Sequence, residues 1–437
     1  MRAAILPRSL YSPLLMITLA VGMALGAAAP YRAAASGAVQ RYRPGEIVVR
    51  LASASLTIDD VNRDLGTSTA AQMEGDAGVY LLRTPPGSDP SVVSDALALD
   101  PRLDFAEPNY INGAPVANPR GIGAWGGTDP APLLAQSALA QIGLTDARAL
   151  SRGTGVTVAI IDTGAQLDHP DLAASIAPDS YDFVDDDSSP IDTPDGIDNN
   201  GDGVADEAYG HGTHLAGIIH TLAPDARLLV LRALTAEGDG DMFNLVRAID
   251  YAVAHGATVI NMSLGTSEDS RLLRAAVRRA TLGGAVVIAA AGNTGTDLPQ
   301  YPAATSCAIA VTSVDSRDVR STFASYGAWV SVAAPGEGIF SAFPASGYAT
   351  WSGTSMATAF VSGQAALILS LQPTLNARDV GDLIGGTAAS VDLVNPDLPD
   401  LLGDGRIDLA ASLRAASQNS DTRAHHRRIT RSCVSDI

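Results

Sequence analysis

The feature that most constrains the fold is a series of apolar runs that alternate with amphipathic segments after about residue 138. The runs are short, rich in Val, Ile and Ala, and cover residues 156–162, 226–234, 257–263, 285–293 and 308–314. Strands that are apolar along their whole length are buried on both faces, so the alternation predicts an α/β fold with a doubly wound parallel sheet. In such sheets the functional side chains gather just beyond the carboxyl ends of the strands.

A smaller unit precedes this pattern. Residues 46–51 and 79–84 are strand-like, and residues 91–99 have helical spacing, which predicts a small α/β domain over residues 36–112. Residues 113–137 are rich in Gly, Pro and Ala and predict an exposed linker, the kind of segment that proteases cut. We place the large domain at residues 138–412 and a polar, Arg-rich tail at residues 413–437.

The first 35 residues have the order of a secretory signal peptide. Arg2 and Arg8 precede the apolar run "LLMITLAVGMALGAAA", which small residues follow. A retained membrane anchor is the alternative, but the run is short for a span of about 20 residues. No later stretch resembles a transmembrane helix, so we expect export and no stable membrane span.

The composition excludes several classes of function. The net charge of −19 argues against nucleic-acid binding, because phosphate recognition needs clustered Lys and Arg. The chain contains no lysine at all, which excludes Schiff bases, a Walker-type phosphate loop and a Ser-Lys dyad. A hydroxyl nucleophile would therefore need a histidine as its base.

The two cysteines are Cys307 and Cys433. One disulfide could form after export. However, the two residues are far apart in the chain and Cys433 lies in the polar tail. We therefore expect two free or buried thiols.

Four residues sit where a doubly wound sheet places its chemistry. Asp162 ends one apolar run, Asn293 ends another, and His211 and Ser355 each precede a helical segment. Taken singly, each could be a helix cap or a turn residue. Together, the order Asp, His, Ser supplies an orienting acid, a base and a nucleophile. An α/β-hydrolase would run Ser, acid, His, which the chain order rejects.

The blocks around these residues resemble the signatures of the subtilisin-like serine proteases, or subtilases. They are "VAIIDTGAQLDHPDL", "GHGTHLAG" and "SGTSMATAFVSG", with "NMSLG" and "AAAGN" as further blocks. The resemblance implies that Asp162 orients His211, that His211 is the general base and then acid, and that Ser355 attacks the peptide carbonyl. Asn293 and the backbone N–H of Ser355 would form the oxyanion hole.

The same resemblance implies how a peptide substrate binds. The segment with Gly238 and Gly240, and the segment Ser263, Leu264 and Gly265, would hold it as an added β-strand. Ala291 and Gly292 would line the first side-chain pocket, with Gln300 near its floor. Family members often have glycine there, so we expect Gln300 to shorten or polarise the pocket.

Two further positions lie close in sequence to the predicted triad residues. Ala359 replaces a proline that is usual in the family, and we expect activity to survive because the nucleophile lies earlier in that helix. His214 is expected to be a packed or hydrogen-bonded neighbour of His211. A zinc pair would need a third ligand and usually a glutamate base, which the "HGTH" sequence lacks.

The leading domain resembles a subtilase propeptide, in "RPGEIVVRL" and "DPRLDFAEPNYI". Such a propeptide would chaperone folding and inhibit the site until the enzyme cuts itself, at a bond that we place between Asn112 and Gln136. A permanent N-terminal domain is the alternative.

An acidic loop precedes the histidine. Asp198, Asn200, Asp202, the Val204 carbonyl and Asp206 follow the pattern D-x-N-x-D-G-x-x-D, in which oxygen ligands at alternate positions can converge on one Ca²⁺ ion. A merely solvated loop is the alternative. A second acidic stretch at residues 400–408 lacks an oxygen ligand at its third position, and we interpret it as a turn before the last helix.

These observations predict a secreted, calcium-stabilised serine endopeptidase that is made as a zymogen and acts as a monomer on proteins or peptides. Its own propeptide would be its intramolecular inhibitor. The alternative from another class is a catalytically silent, calcium-binding extracellular domain with the same fold.

Overall fold

The computed structural model describes residues 41–114, 124–201 and 203–418, together with Cys433. The predicted signal peptide and nearly all of the polar tail lie outside these residues. The chain divides into two compact units, Met1–Ile111 and Asn112–Ile437.

The smaller unit is an antiparallel sheet covered by two helices. Its strands are β1 (Tyr42–Leu51), β2 (Ser68–Gln72), β3 (Val79–Arg83) and β4 (Leu103–Gly113), and its helices are α1 (Ile58–Leu65) and α2 (Pro90–Leu97). The strands lie in the order β2-β3-β1-β4. Ile47, Val49, Leu82 and Leu97 form its core. The predicted strands at 46–51 and 79–84 and the predicted helix at 91–99 are confirmed.

The larger unit contains the remaining elements. Its strands are β5 (Ala124–Gly127), β6 (Thr157–Asp162), β7 (Tyr181–Asp182), β8 (Arg227–Arg232), β9 (Asp239–Asp241), β10 (Val259–Met262), β11 (Val286–Ala290), β12 (Ile309–Val314), β13 (Val332–Pro335), β14 (Ile339–Phe343) and β15 (Gly347–Trp351). Its helices are α3 (Ala131–Ala135), α4 (Ser137–Gln141), α5 (Leu144–Arg148), α6 (His211–Leu222), α7 (Met242–Ala254), α8 (Arg271–Leu282), α9 (Thr354–Leu371), α10 (Ala377–Gly386) and α11 (Leu409–Ser417).

The central sheet has seven strands in the order β13-β12-β11-β10-β6-β8-β7, and every adjacent pair is parallel. The chain moves from β6 to one side and then returns to β10 on the other. The carboxyl ends of β6 and β10 therefore flank the point where a doubly wound sheet forms its binding crevice. All five predicted strands and the predicted fold class are confirmed.

Helices cover this sheet in two pairs. Helices α6 and α9 pack on each other, with α6 against β6 and α9 against β10 to β13, while α7 and α8 pack on each other and against β6, β8 and β11. Helix α9 is the one helix in the described part of the chain that is long and apolar enough to cross a membrane, and 89% of its apolar window is buried. That burial is typical of a core helix.

Two expectations are corrected. Cys307 and Cys433 form a disulfide, with their Cα atoms 5.0 Å apart across 126 residues of sequence, so they are not free thiols. Sequence distance was a poor guide, because the fold brings the tail residue back to the start of β12. The predicted linker also contains ordered structure, since β5 pairs with β15 in a three-stranded sheet and α3 follows it.

Candidate active site

The acid and the base of the predicted triad meet at the carboxyl end of the sheet. Asp162 is the last residue of β6 and His211 is the first residue of α6. Nδ1 of His211 lies 2.7 Å from Oδ1 of Asp162, and the backbone N–H of Thr163 donates to the same oxygen at 2.9 Å. A carboxylate on Nδ1 holds the proton there and leaves Nε2 free to act as a base.

This pair is shielded from water. Asp162 and His211 are 0% and 1% exposed, and the indole of Trp351 packs edge-on against the imidazole at 5.3 Å between ring centroids. Oδ2 of Asp162 is buried and has no hydrogen-bond partner among the described residues. The carboxylate is thus poised to stabilise a positive charge on His211, because burial strengthens the attraction between charges.

The predicted nucleophile lies at the start of α9. Ser355 is the second residue of this helix, and its Oγ lies 3.5 Å from the carbonyl oxygen of Ser263. Ser263 in turn donates its hydroxyl to the Ser355 carbonyl at 3.0 Å. Since Met262 pairs with Ile161 in the sheet, this contact brings Ser355 to the end of the strand that carries Asp162.

Asn293 packs on the same helix end. Its Oδ1 accepts hydrogen bonds from the backbone N–H and the hydroxyl of Thr354, both at 3.0 Å. These contacts orient the amide so that its nitrogen is a donor near the positive end of α9. The strand β11 ends at Ala290, and the chain then turns at Gly292, whose φ is +95°. This turn places Asn293 at the start of α9.

The predicted substrate edges bind residues 113 and 114 of the chain itself, which belong to the larger unit. Gly113 and Gly265 exchange two backbone hydrogen bonds, at 3.0 and 2.8 Å, and the N–H of Ala114 donates to the Gly238 carbonyl at 2.9 Å. A side chain at Gly240 would collide with the Ala233 carbonyl, since its Cβ would lie 2.4 Å from that oxygen. This crevice therefore accepts an extended backbone between two edges.

The residues predicted to form the first pocket are Ala291, Gly292 and Gln300. Ala291 is buried, as is Leu264 of the predicted substrate edge. A Cβ built on Gly292 would lie 2.9 Å from Cγ of Gln300, and one built on Gly265 would lie 3.9 Å from Oε1 of Gln300. The Gln300 side chain thus lies close to both Gly265 and Gly292, and its place near the floor of the first pocket stays a prediction.

A family model described as "Subtilase family" matches residues 153–419, which is more than half of the chain. The chain belongs to the subtilase family. It is accordingly a subtilisin-like serine endopeptidase. A second family model, described as "Fervidolysin N-terminal prodomain", matches residues 28–109, so this subtilase is a zymogen with a prodomain.

Several subtilases are similar in sequence. Thermitase from Thermoactinomyces vulgaris is 44% identical over 231 residues, which cover 51% of this chain and 77% of thermitase. Thermophilic serine proteinase from Bacillus sp. (strain AK1) is 39% identical, over 64% of this chain and 66% of that protein. Subtilisin DY from Bacillus licheniformis is 38% identical, over 55% of this chain and 86% of that protein.

The fold is also found in solved structures, of which fervidolysin is an example. The crystal structure of fervidolysin from Fervidobacterium pennivorans, described as a keratinolytic enzyme related to subtilisin, matches with a TM-score of 0.69 at 23% identity. The match covers 87% of this subtilase but only 62% of the fervidolysin chain. At this identity the likeness concerns the fold alone.

His214 of this subtilase lies one helical turn after His211 of the predicted triad. It is buried, and its Nε2 lies 3.1 Å from the carbonyl oxygens of both Ile339 and Ala349. Burial, more than the nearby His211, lowers the pKa of His214 to about 3, so the ring is neutral at any working pH. A neutral ring that donates to backbone carbonyls is a structural residue.

The acidic loop is wound around two of its own carboxylates. Asp198 accepts the N–H groups of Gly201 and Gly203, at 2.7 and 2.8 Å. Asp206 accepts those of Asp195 and Gly196, at 3.0 and 2.7 Å. Asn200 donates its side-chain amide to Glu207.

Four of the five predicted calcium ligands lie among the described residues. Among the described residues no group of three or more His, Cys, Asp or Glu side chains converges as a metal site. Asp202, the central ligand of the predicted set, lies outside those residues. The turn around Asp198 and Asp206 carries carboxylate oxygens, which are the ligand type that Ca²⁺ takes in proteins.

The sequence analysis did not identify two polar residues that lie beside the contact between Asp162 and His211. Thr163 is fully buried, and Asp192 is 5% exposed in the long loop between β7 and α6. The Thr163 hydroxyl donates to Oδ2 of Asp192 at 2.8 Å. The threonine could have been suspected from its place next to Asp162, whereas nothing in the acidic stretch around Asp192 distinguishes it from its neighbours.

Proposed function

We propose that this subtilase is a secreted endopeptidase that hydrolyses peptide bonds through an Asp162–His211–Ser355 triad and an acyl-enzyme. The observation that carries the proposal is the buried 2.7 Å contact between His211 Nδ1 and Asp162 Oδ1. In the first step the Ser355 hydroxyl attacks the substrate carbonyl while His211 Nε2 takes its proton, and the imidazolium then protonates the leaving amine. Water repeats the sequence on the ester.

The oxyanion would be stabilised by donors at one place. The Asn293 amide and the N–H of Ser355 would donate to it, at the positive end of α9. Substrate would bind as an added strand between Gly238 to Gly240 and Ser263 to Gly265. The hydrogen bonds that Gly113 and Ala114 make with these segments support that mode. Because such pairing uses the main chain, sequence preference would depend on the pocket with Ala291, Gly292 and Gln300.

We extend the proposal to maturation. Residues 1–35 would be the signal peptide, residues 36–112 the inhibitory propeptide, and residues 138–412 the catalytic domain. Occupation of the crevice by Gly113 and Ala114 supports inhibition by the segment that follows the propeptide, and it favours a processing bond soon after Ala114, within residues 115–136. The disulfide supports export, since such bridges persist in oxidising compartments.

We also propose a structural Ca²⁺ ion in the acidic loop, held by Asp198, Asn200, Asp202, Asp206 and the Val204 carbonyl. It would neutralise carboxylates that otherwise repel one another, and it takes no part in the chemical steps. We expect the mature enzyme to act as a monomer on proteins and peptides.

The test compares the full chain with its Ser355→Ala variant for digestion of casein and for self-cleavage. Ser370→Ala, which removes a hydroxyl from the far end of the same helix, is the matched control. We expect cleavage by the wild type and the control, and only an unprocessed chain from Ser355→Ala. Equal activity in all three would overturn the assignment of the nucleophile, and inactivity of all three would favour the silent binding domain.

A further inference from the structure

We propose that Asp192 is a positioning residue of the catalytic site which, together with Thr163, fixes His211 against Asp162. The inference rests on the proposed triad. Asp192 itself is separated from both triad residues in sequence, and it lies in a loop that carries none of the family signature blocks quoted above.

The contacts join both neighbours of the histidine to one carboxyl group. Oδ2 of Asp192 accepts the backbone N–H of Gly210 at 2.6 Å and the hydroxyl of Thr163 at 2.8 Å. The Thr163 oxygen in turn accepts the N–H of Gly212 at 3.1 Å. The residues on either side of His211 are therefore held by a single hydrogen-bonded unit.

The same unit holds the orienting acid. Thr163 follows Asp162 directly in the chain, and its own N–H donates to Oδ1 of Asp162, the oxygen that contacts His211. One threonine thus anchors the acid through its backbone and the histidine through its hydroxyl. Asp192 fixes the rotamer of that hydroxyl, because it is the acceptor to which the hydroxyl donates.

The backbones around this unit are packed so closely that two of its glycines have no space for a side chain. A Cβ on Gly212 would lie 2.0 Å from the Gly164 carbonyl oxygen. One on Gly164 would lie 2.6 Å from the Pro190 carbonyl oxygen and 2.9 Å from the Asp192 nitrogen. Close packing sets the distances, and the side chains of Thr163 and Asp192 hold the backbone on both sides of His211.

Charge at this position is also constrained. Burial raises the pKa of Asp192 to about 7, with a further increase from Asp162, while the bonds from Thr163 and Gly210 and the charge of Arg232 oppose it. Among the described residues, Tyr209 also interacts with Asp192, whose charge adds to the effect of burial in raising the pKa of Tyr209. A neutral side chain with the same shape should therefore serve nearly as well as the carboxylate, which makes asparagine the conservative replacement.

The experiment measures kcat and KM on a short peptide for Asp192→Ala, Asp192→Asn, Thr163→Val and Thr163→Ser. Each full chain is matured with immobilised wild-type enzyme. Asp408→Ala is the matched control, since Asp408 also accepts a backbone N–H, that of Ala411, at the start of a helix away from the site.

We expect Asp192→Ala and Thr163→Val each to lower kcat at least about tenfold with KM changed less than about twofold, because small displacements of a base are costly. Asn and Ser should restore about a third of kcat or more, and the Ala/Val double variant should lose little beyond either single one. Asp408→Ala should keep the wild-type kcat.

A kcat for Asp192→Ala within twofold of the wild type would overturn the proposal, as would an asparagine variant no better than alanine. If Asp192→Ala does not fold, the Thr163→Val and Thr163→Ser pair decides alone, and equal kcat in that pair overturns it. Failure of the proposed triad would look different, because the wild type itself would then leave the peptide intact.

Discussion

The side chain of Glu237 accepts a hydrogen bond from the backbone N–H of Asp206 at 3.0 Å, and a second from that of Asn199 at 3.3 Å. Glu237 is 4% exposed and directly precedes Gly238, part of the proposed substrate edge. Burial and a shared hydrogen bond with Glu237 raise the pKa of Glu207 to about 8. The acidic loop and the substrate edge are thus joined through buried carboxyl groups.

Removal of calcium should therefore act on substrate binding as well as on stability. We expect a chelator to lower the Tm by several degrees, since a ligand at about 100 times its Kd contributes about 2.7 kcal/mol. KM should rise more than kcat falls, because Glu237 links Asn199 and Asp206 of the loop to the proposed substrate edge. Differential scanning calorimetry and peptide kinetics, each with calcium restored, measure both effects.

The control for that prediction is Asp198→Asn, which should lower the Tm in calcium and respond little to the chelator. A chelator that leaves the wild-type Tm unchanged would remove the calcium proposal. A Tm response without any change in KM would retain calcium but reject the coupling through Glu237.

Much of this architecture could be predicted from the sequence, because buried parallel strands such as β6 (Thr157–Asp162) are recognisable as apolar runs. The two-residue strand Tyr181–Asp182 and the hairpin at residues 339–351 are too short or too irregular for that signal. The Cys307–Cys433 disulfide and the Asp192–Thr163 contact join residues that are distant in sequence. Such contacts depend on the complete fold, which no local pattern contains.

Asn293 should contribute to the transition state and not to substrate binding. Asn293→Asp keeps the oxygen that accepts from Thr354 but replaces the amide donor with a negative oxygen. We expect kcat to fall about 100-fold to 1,000-fold with KM nearly unchanged, as for the loss of one oxyanion donor. Thr354→Ser, which keeps both contacts to Asn293, is the control for helix packing, and a similar loss of kcat there would point to a positioning role instead.

The neutral state of His214 should make the enzyme sensitive to acid. Its pKa is about 3 in the folded protein and 6.5 in an ordinary histidine, so the unfolded chain binds a proton first as the pH falls. The contribution of the neutral His214 ring to the free energy of unfolding is complete above pH 6.5. It is lost between pH 6.5 and pH 3, by up to about 1.4 kcal/mol per pH unit.

His214→Gln keeps an N–H donor but does not titrate in this range. In the Ser355→Ala background, which prevents self-digestion, its Tm should be lower than the parent's at pH 8 and should fall less between pH 7 and pH 4. Parallel Tm curves for the two proteins would show that another group governs acid unfolding.

The disulfide should matter for stability and not for catalysis. Cys307→Ser/Cys433→Ser frees the tail from the start of β12, and we expect a loss of about 2–4 kcal/mol in the free energy of unfolding. The kcat/KM on a short peptide should stay within about twofold. Reductant should lower the wild-type Tm to that of the double variant and leave the variant unaffected, whereas no Tm change on reduction would mean that the bridge contributes nothing.

The size of the first pocket should depend on Gln300, whose side chain reaches both Gly265 and Gly292. Gln300→Gly should raise kcat/KM about tenfold or more for peptides with Phe before the cut bond, because pocket contacts of this size amount to about 1–3 kcal/mol. Peptides with Ala at that position should change less than twofold.

Gln300→Leu separates the effect of side-chain length from that of polarity, since leucine fills a similar volume without the amide. If Leu behaves like Gln and Gly opens the pocket, length governs the preference, and an unchanged Phe-to-Ala ratio in the Gly variant would place the pocket elsewhere.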